Sequence, residues 1–76
     1  MKELLITIAK HLVDDPNSVH VIEETREDGT VVLKLNVASE DVGKVIGKKG
    51  RIARDIRTVV KAAAIHENKR VNIEIA

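Results

Sequence analysis

Two glycines three residues apart, Gly47 and Gly50, cut what would otherwise be one long amphipathic helical stretch into two. Apolar positions recur at helical spacing on both sides of Gly47-Lys48-Lys49-Gly50, so the chain must reverse between two helices within four residues. Glycine at both ends permits backbone angles that other residues avoid, and it leaves the backbone open to close approach by a ligand. The break also carries charge. Residues 43–61 hold seven Lys/Arg (Lys44, Lys48, Lys49, Arg51, Arg54, Arg57 and Lys61) against Asp55 alone, whereas residues 1–42 hold four against nine Asp/Glu. A basic segment on an otherwise acidic body predicts a local anion site rather than indiscriminate binding to polyanions.

The helix expected after Gly50 is strongly sided. Advancing 100° per residue from Ile52 places Ile52, Ala53, Ile56, Val59, Val60, Ala63 and Ala64 within an arc of about 140°. Arg51, Arg54, Arg57 and Lys61 fall opposite. Ile65 lies among these charged residues, where either the last turn frays or tucks under the following loop, or the side chain is part of a contact surface for another subunit. The helix before the break is short, with Ser39 as its expected N-cap and Glu40 and Asp41 in its first turn.

The rest of the chain supplies one more helix and three strands. Leu4, Leu5, Ile8, Ala9, Leu12 and Val13 form one helical stripe, which Pro16 ends. A strand is expected over Ser18–Glu24, then a turn at Glu27-Asp28-Gly29. A second strand follows, in which Val31, Leu33, Leu35 and Val37 alternate with Val32, Lys34 and Asn36. Val71-Asn72-Ile73-Glu74-Ile75 alternates as a terminal strand. The order is α-β-β-α-α-β. The helical crossover into the last strand predicts an α+β domain with a three-stranded mixed sheet and three helices on one face.

Composition narrows the chemistry. The 76 residues make a single domain, residues 1–76, and include no Phe, Tyr, Trp or Cys. The core is therefore aliphatic, bases have no aromatic platform to stack on, and disulfides and thiolate metal sites are excluded. No apolar run approaches the roughly 20 residues that span a bilayer, and the chain reads as cytoplasmic. His11, His20 and His66 sit on different elements with no ligand spacing, and no nucleophile–base grouping recurs. The chain reads as a binding module, without enzyme activity, cofactor, metal or small-molecule substrate.

Val45-Ile46-Gly47-Lys48-Lys49-Gly50-Arg51-Ile52, with the apolar positions Ala53 and Ile56 beyond it, resembles the signature of the KH family. In that family a GXXG loop clamps the sugar-phosphate backbone of about four nucleotides. The element order resembles the type II arrangement, the resemblance runs through essentially the whole chain, and neither variable loop position is acidic. It implies a type II KH fold that binds single-stranded RNA. Gly47, Lys48, Lys49, Gly50 and Arg51 would hold phosphates, with Arg54, Lys44 and Gly43 beside them. Val42, Val45, Ile46 and Ile73 would give bases an aliphatic bed. Similarity to small single-domain bacterial members further implies RNA chaperoning or post-transcriptional regulation, tied to cell shape. It also implies a homodimer, with Ile65 as a possible contact, and a larger KH-containing partner. The competing reading is an assembly module whose partner binds the RNA. A plain helix–helix turn with solvated lysines requires neither the second glycine nor the clustered charge.

Overall fold

The computed structural model describes residues 1–75. Helix α1 spans Lys2–Leu12, strands β1 and β2 span His20–Thr25 and Val31–Asn36, helices α2 and α3 span Val42–Ile46 and Arg51–His66, and strand β3 spans Val71–Ile75. The sheet order is β1-β2-β3, with β1 antiparallel and β3 parallel to β2. This is the mixed, three-stranded α+β architecture expected from the alternating pattern and the helical crossover.

The core lies between the sheet and the three helices. Val21, Leu33, Leu35, Val71 and Ile73 point to one sheet face and meet Leu5 and Ala9 of α1, Val45 of α2, and Ile56, Val60 and Ala64 of α3. Every one of these is Val, Ile, Leu or Ala, so shape complementarity among aliphatic groups does the work that an aromatic ring often does. The β1–β2 turn closes with Gly29 at φ 88° and with the Asp28 carboxylate accepting the Thr30 N–H at 2.9 Å. That bond chiefly holds the Asp28 pKa below its ordinary value.

Four local expectations are corrected. Residues Pro16–Ser18 form a 3-10 turn, so β1 begins at His20 rather than Ser18. Ser39 does not cap α2: it lies inside a 3-10 turn over Ser39–Asp41 that follows Ala38, and no side chain caps either end of that approach. Val32 falls in the polar phase of β2, yet only 1% of it is exposed, because the central strand has a neighbour on each side. Val59 lies within the apolar arc of α3 but is 49% exposed. An arc of about 140° is wider than the sheet can cover, and α1 covers only part of the remainder.

Candidate nucleic-acid interface

The loop between α2 and α3 is a single 3-10 turn over Lys48–Gly50, flanked by the five residues of α2 and the sixteen of α3. Gly47 has φ 75° and ψ 175°, a region open in practice only to glycine. A Cβ there would lie 2.5 Å from Ile52 Cγ1. The residue is thus required twice, by its backbone angles and by the side chain stacked on it. Gly50 also has positive φ, in the left-handed helical region, but a Cβ would meet nothing within 4 Å. Lys49 adopts φ 58°, uncommon for a residue with a side chain.

Backbone hydrogen bonds close the turn. The Gly47 N–H bonds to the Gly43 carbonyl, the Gly50 N–H to the Gly47 carbonyl, and the Arg51 N–H to the Lys48 carbonyl. The side chains of Lys48 and Lys49 are exposed, as are those of Arg51 and Arg54 on the first turns of α3. Four exposed cations lie on the loop and the first turns of α3, beside the N-terminus of that helix, an arrangement suited to phosphate.

The neighbouring surface is apolar and shallow. Ile46 and Val42 are half-buried beside the loop. Gly43 is exposed, and a Cβ there would meet nothing within 4 Å, so no packed neighbour demands a glycine at this position. Val45, expected to support a base, is 0% exposed, and Ile73 only 5%. Both point into the core, because Val45 occupies the inward side of a helix barely longer than one turn and Ile73 the inward phase of β3. They underlie the site rather than line it.

β3 is an edge strand, with one side free of other strands. Arg70 gives its carbonyl to the Val31 N–H of β2 at 2.9 Å, and backbone groups alternate sides along a strand. Ile73 therefore turns its carbonyl to the open edge, where the Arg57 Nε–H donates to it at 3.3 Å. Arg57 thus leaves the solvated face of α3 and stands at the sheet edge, which periodicity alone did not reveal.

Lys44 is held differently from the other basic residues. Its ammonium lies on the Asp14 carboxylate and, at 3.1 Å, on Asp41 Oδ1. Asp41 is 2% exposed, and its other oxygen accepts the Asp15 N–H at 3.0 Å. Burial pushes the Asp41 pKa up, but the Asp15 and Asp14 N–H groups and Lys44 outweigh it and hold the pKa below the ordinary value. Hydrogen bonds to Asp14 and then Asp41 raise the pKa of Lys44. Sequence reasoning missed this network; its one local signal was the i, i+3 spacing of Asp41 and Lys44.

Ile65 is 73% exposed on an intact last turn of α3, so it is not tucked beneath the following loop. Among the described residues, no cluster of His, Asp or Glu could hold a metal ion, and no helix is long and apolar enough to cross a membrane.

Known proteins resemble this chain in sequence and in fold. A family model described as the KhpA/KhpB KH domain matches residues 2–75. The chain is 64% identical over 75 residues to the RNA-binding protein KhpA of Clostridium acetobutylicum, with 99% of each chain covered. It is 57% identical to the RNA-binding protein KhpA of Caldanaerobacter subterraneus subsp. tengcongensis, again with 99% of each covered. For the protein of the same name from Listeria monocytogenes the identity is 47%, over 99% of this chain and 97% of the relative. The fold is similar to part of Era, solved in complex with MgGDPNP and nucleotides 1506–1542 of 16S ribosomal RNA, with a TM-score of 0.62 and 20% identity. That likeness covers 97% of this chain but only 28% of the Era chain, and at this identity it speaks for the fold alone. With its helical order, mixed sheet, glycine-bounded loop and whole-length match in agreement, the chain belongs to the KhpA/KhpB KH-domain family.

Proposed function

We propose that the chain binds single-stranded RNA, with the Gly47–Gly50 loop clamping the sugar-phosphate backbone. The observation that carries this reading is the loop tip, where the exposed Lys48 and Lys49 stand on a turn with positive φ at Gly47, Lys49 and Gly50, one residue before the exposed Arg51. A phosphate approaches the glycine-bounded backbone of the loop while Lys48, Lys49 and Arg51 neutralise its charge and that of its neighbours. Bases then lie along Ile46, Val42 and the bare backbone at Gly43, and their edges reach the Ile73 backbone and Arg57. Duplex RNA cannot splay bases into such a groove, so single strands are preferred. Names of the relatives, each an RNA-binding protein, agree with this reading, as does the binding-module character inferred from composition.

Affinity is modest on this account. Without an aromatic platform, each base gains less than the ~1–3 kcal/mol that stacking provides elsewhere. Three neutralised phosphates give a slope of log K against log salt of about −2, from ~0.7 per contact on a single strand. Titration of a labelled single-stranded oligoribonucleotide at several salt concentrations measures this slope. A slope near zero would remove the phosphate clamp from the account. Weak single-site binding suits a chaperone or regulator of RNA that acts through repeated or paired sites.

Self-association through α3 is the second reading, favoured by the exposure of Ile65 on a helical turn otherwise lined with Lys61 and Ala62. Pairing two sites, with a second copy or a larger KH-containing protein, raises avidity without new RNA contacts. Ile65→Asp is expected to leave a folded monomer where the parent is dimeric, as read by light scattering. An unchanged mass counts against this surface.

A further inference from the structure

The position of the Gly47–Gly50 loop depends on α2, and α2 is only five residues long. A helix of that length has little stability of its own, so its placement comes from tertiary contacts. On one side the fully buried Val45 anchors it in the core. On the other, at its start, stands Asp41, which joins two distant segments: its carboxylate binds the Asp15 N–H beyond the end of α1 and the Lys44 ammonium, which also reaches Asp14. Asp41 and Thr30 are the buried polar or charged residues among those described, and Asp41 alone of the two carries charge. A carboxylate that deep is retained only when its oxygens are satisfied, as they are here.

We propose that Asp41 and Lys44 are positioning residues, which with Asp14 lock α2 against the end of α1 and so set the pose of the loop. Lys44 belongs to this lock and does not contact phosphate, although it lies three residues from Gly47 in the basic segment. Its charge already faces two carboxylates, so a phosphate arriving there would meet an ammonium already neutralised and two anions beside it. The loop's charge therefore comes from Lys48, Lys49 and Arg51, while Lys44 acts through geometry. The RNA arm of the test rests on the function proposed above; the geometric arm does not.

The experiment compares Lys44→Met, Asp14→Asn and Asp41→Asn with the parent and with Lys10→Met, an exposed lysine on α1 that controls for simple loss of charge. Amide spectra of the free proteins are recorded first. The lock predicts displaced Gly47 and Gly50 resonances in the three variants but not in Lys10→Met; unmoved loop resonances in folded Lys44→Met overturn it. Should Asp41→Asn fail to fold, Lys44→Met and Asp14→Asn, both altered at more exposed positions, still decide the question. Titration with a single-stranded oligouridylate follows. Lys44→Met is expected to weaken binding about tenfold, the scale of coupling within one ion-pair network. Its salt slope should equal the parent's, whereas a slope shallower by ~0.7 would make Lys44 a phosphate contact and overturn the assignment. If the parent binds no RNA while the loop resonances still move, the positioning role stands and the RNA reading falls.

Discussion

Gly47→Ala is expected to lower the melting temperature by roughly 15 °C and to weaken RNA binding with it. Two costs add at this residue. An alanine held at φ 75° and ψ 175° carries strain of about 1–3 kcal/mol. Its Cβ would also stand 2.5 Å from Cγ1, 2.8 Å from Cβ and 2.9 Å from Cδ1 of Ile52. Ile52 is β-branched and sits on the first turn of α3, so it has few rotamers in which to retreat. Overpacking of this kind costs about 1–3 kcal/mol more. A combined loss near 3 kcal/mol, at ~4–8 °C per kcal/mol for a domain of this size, gives the stated fall. Gly50→Ala is the internal comparison: it has the positive φ but open space, and should lose only about 1 kcal/mol. Thermal melting followed by circular dichroism separates the two; equal effects would mean that contact with Ile52 is immaterial.

The second large effect is on binding alone. Replacing Lys48 and Lys49 together by Asp should abolish measurable RNA affinity while leaving the melting temperature near the parent's. Both side chains are exposed and neither forms an ion pair among the described residues, so the fold loses nothing with them. Asp tolerates the left-handed angles of position 49 better than most residues, which preserves the loop's backbone. Two charge-assisted contacts at ~1.5 kcal/mol each amount to about a hundredfold in affinity before repulsion by the new carboxylates is counted. Any binding that survives should show a slope shallower than the parent's, since Arg51 alone remains of the three proposed cations. Retained affinity in this variant would take the loop out of the account and favour an assembly role for the domain.

Much of the fold could be read along the chain because its cues are local. Alternation in β2 and β3, the stripe of α1 and the arc of α3 each identify an element and its inward face, and helical crossover dictates that β3 lies parallel to β2. The glycine-bounded loop was legible for the same reason: motif, charge and flanking helices are contiguous. What sequence reasoning missed depends on contacts between distant residues. Asp41 meets Asp15 and, through Lys44, Asp14, across 26 and 30 positions, so nothing near it distinguishes a buried anchor from a solvated carboxylate. Likewise, Arg57 belongs by periodicity to a charged face, and only the placement of β3 beside α3 brings it to Ile73. Val45 shows the same limit in reverse. It sits inside the recognition motif, but the motif says nothing about which of its residues point inward.

The steric need for Gly47 divides along the same line. Its position in the motif is plain from sequence, whereas its contact with Ile52 exists only once α3 has folded back on α2. The paired requirement explains why this glycine should be far less replaceable than Gly50, although the two look equivalent in the chain.

The central claim, that RNA is held by the loop tip and the adjoining groove, is tested most directly by titrating the isotopically labelled domain with a short single-stranded RNA and following its amide resonances. The account predicts the largest perturbations at Gly47, Lys48, Lys49, Gly50 and Arg51, smaller ones at Ile46 and Ile73, and none along β1 on the far side of the sheet. Perturbations centred on β1 or on the Ile65 turn, with the loop unmoved, would contradict it.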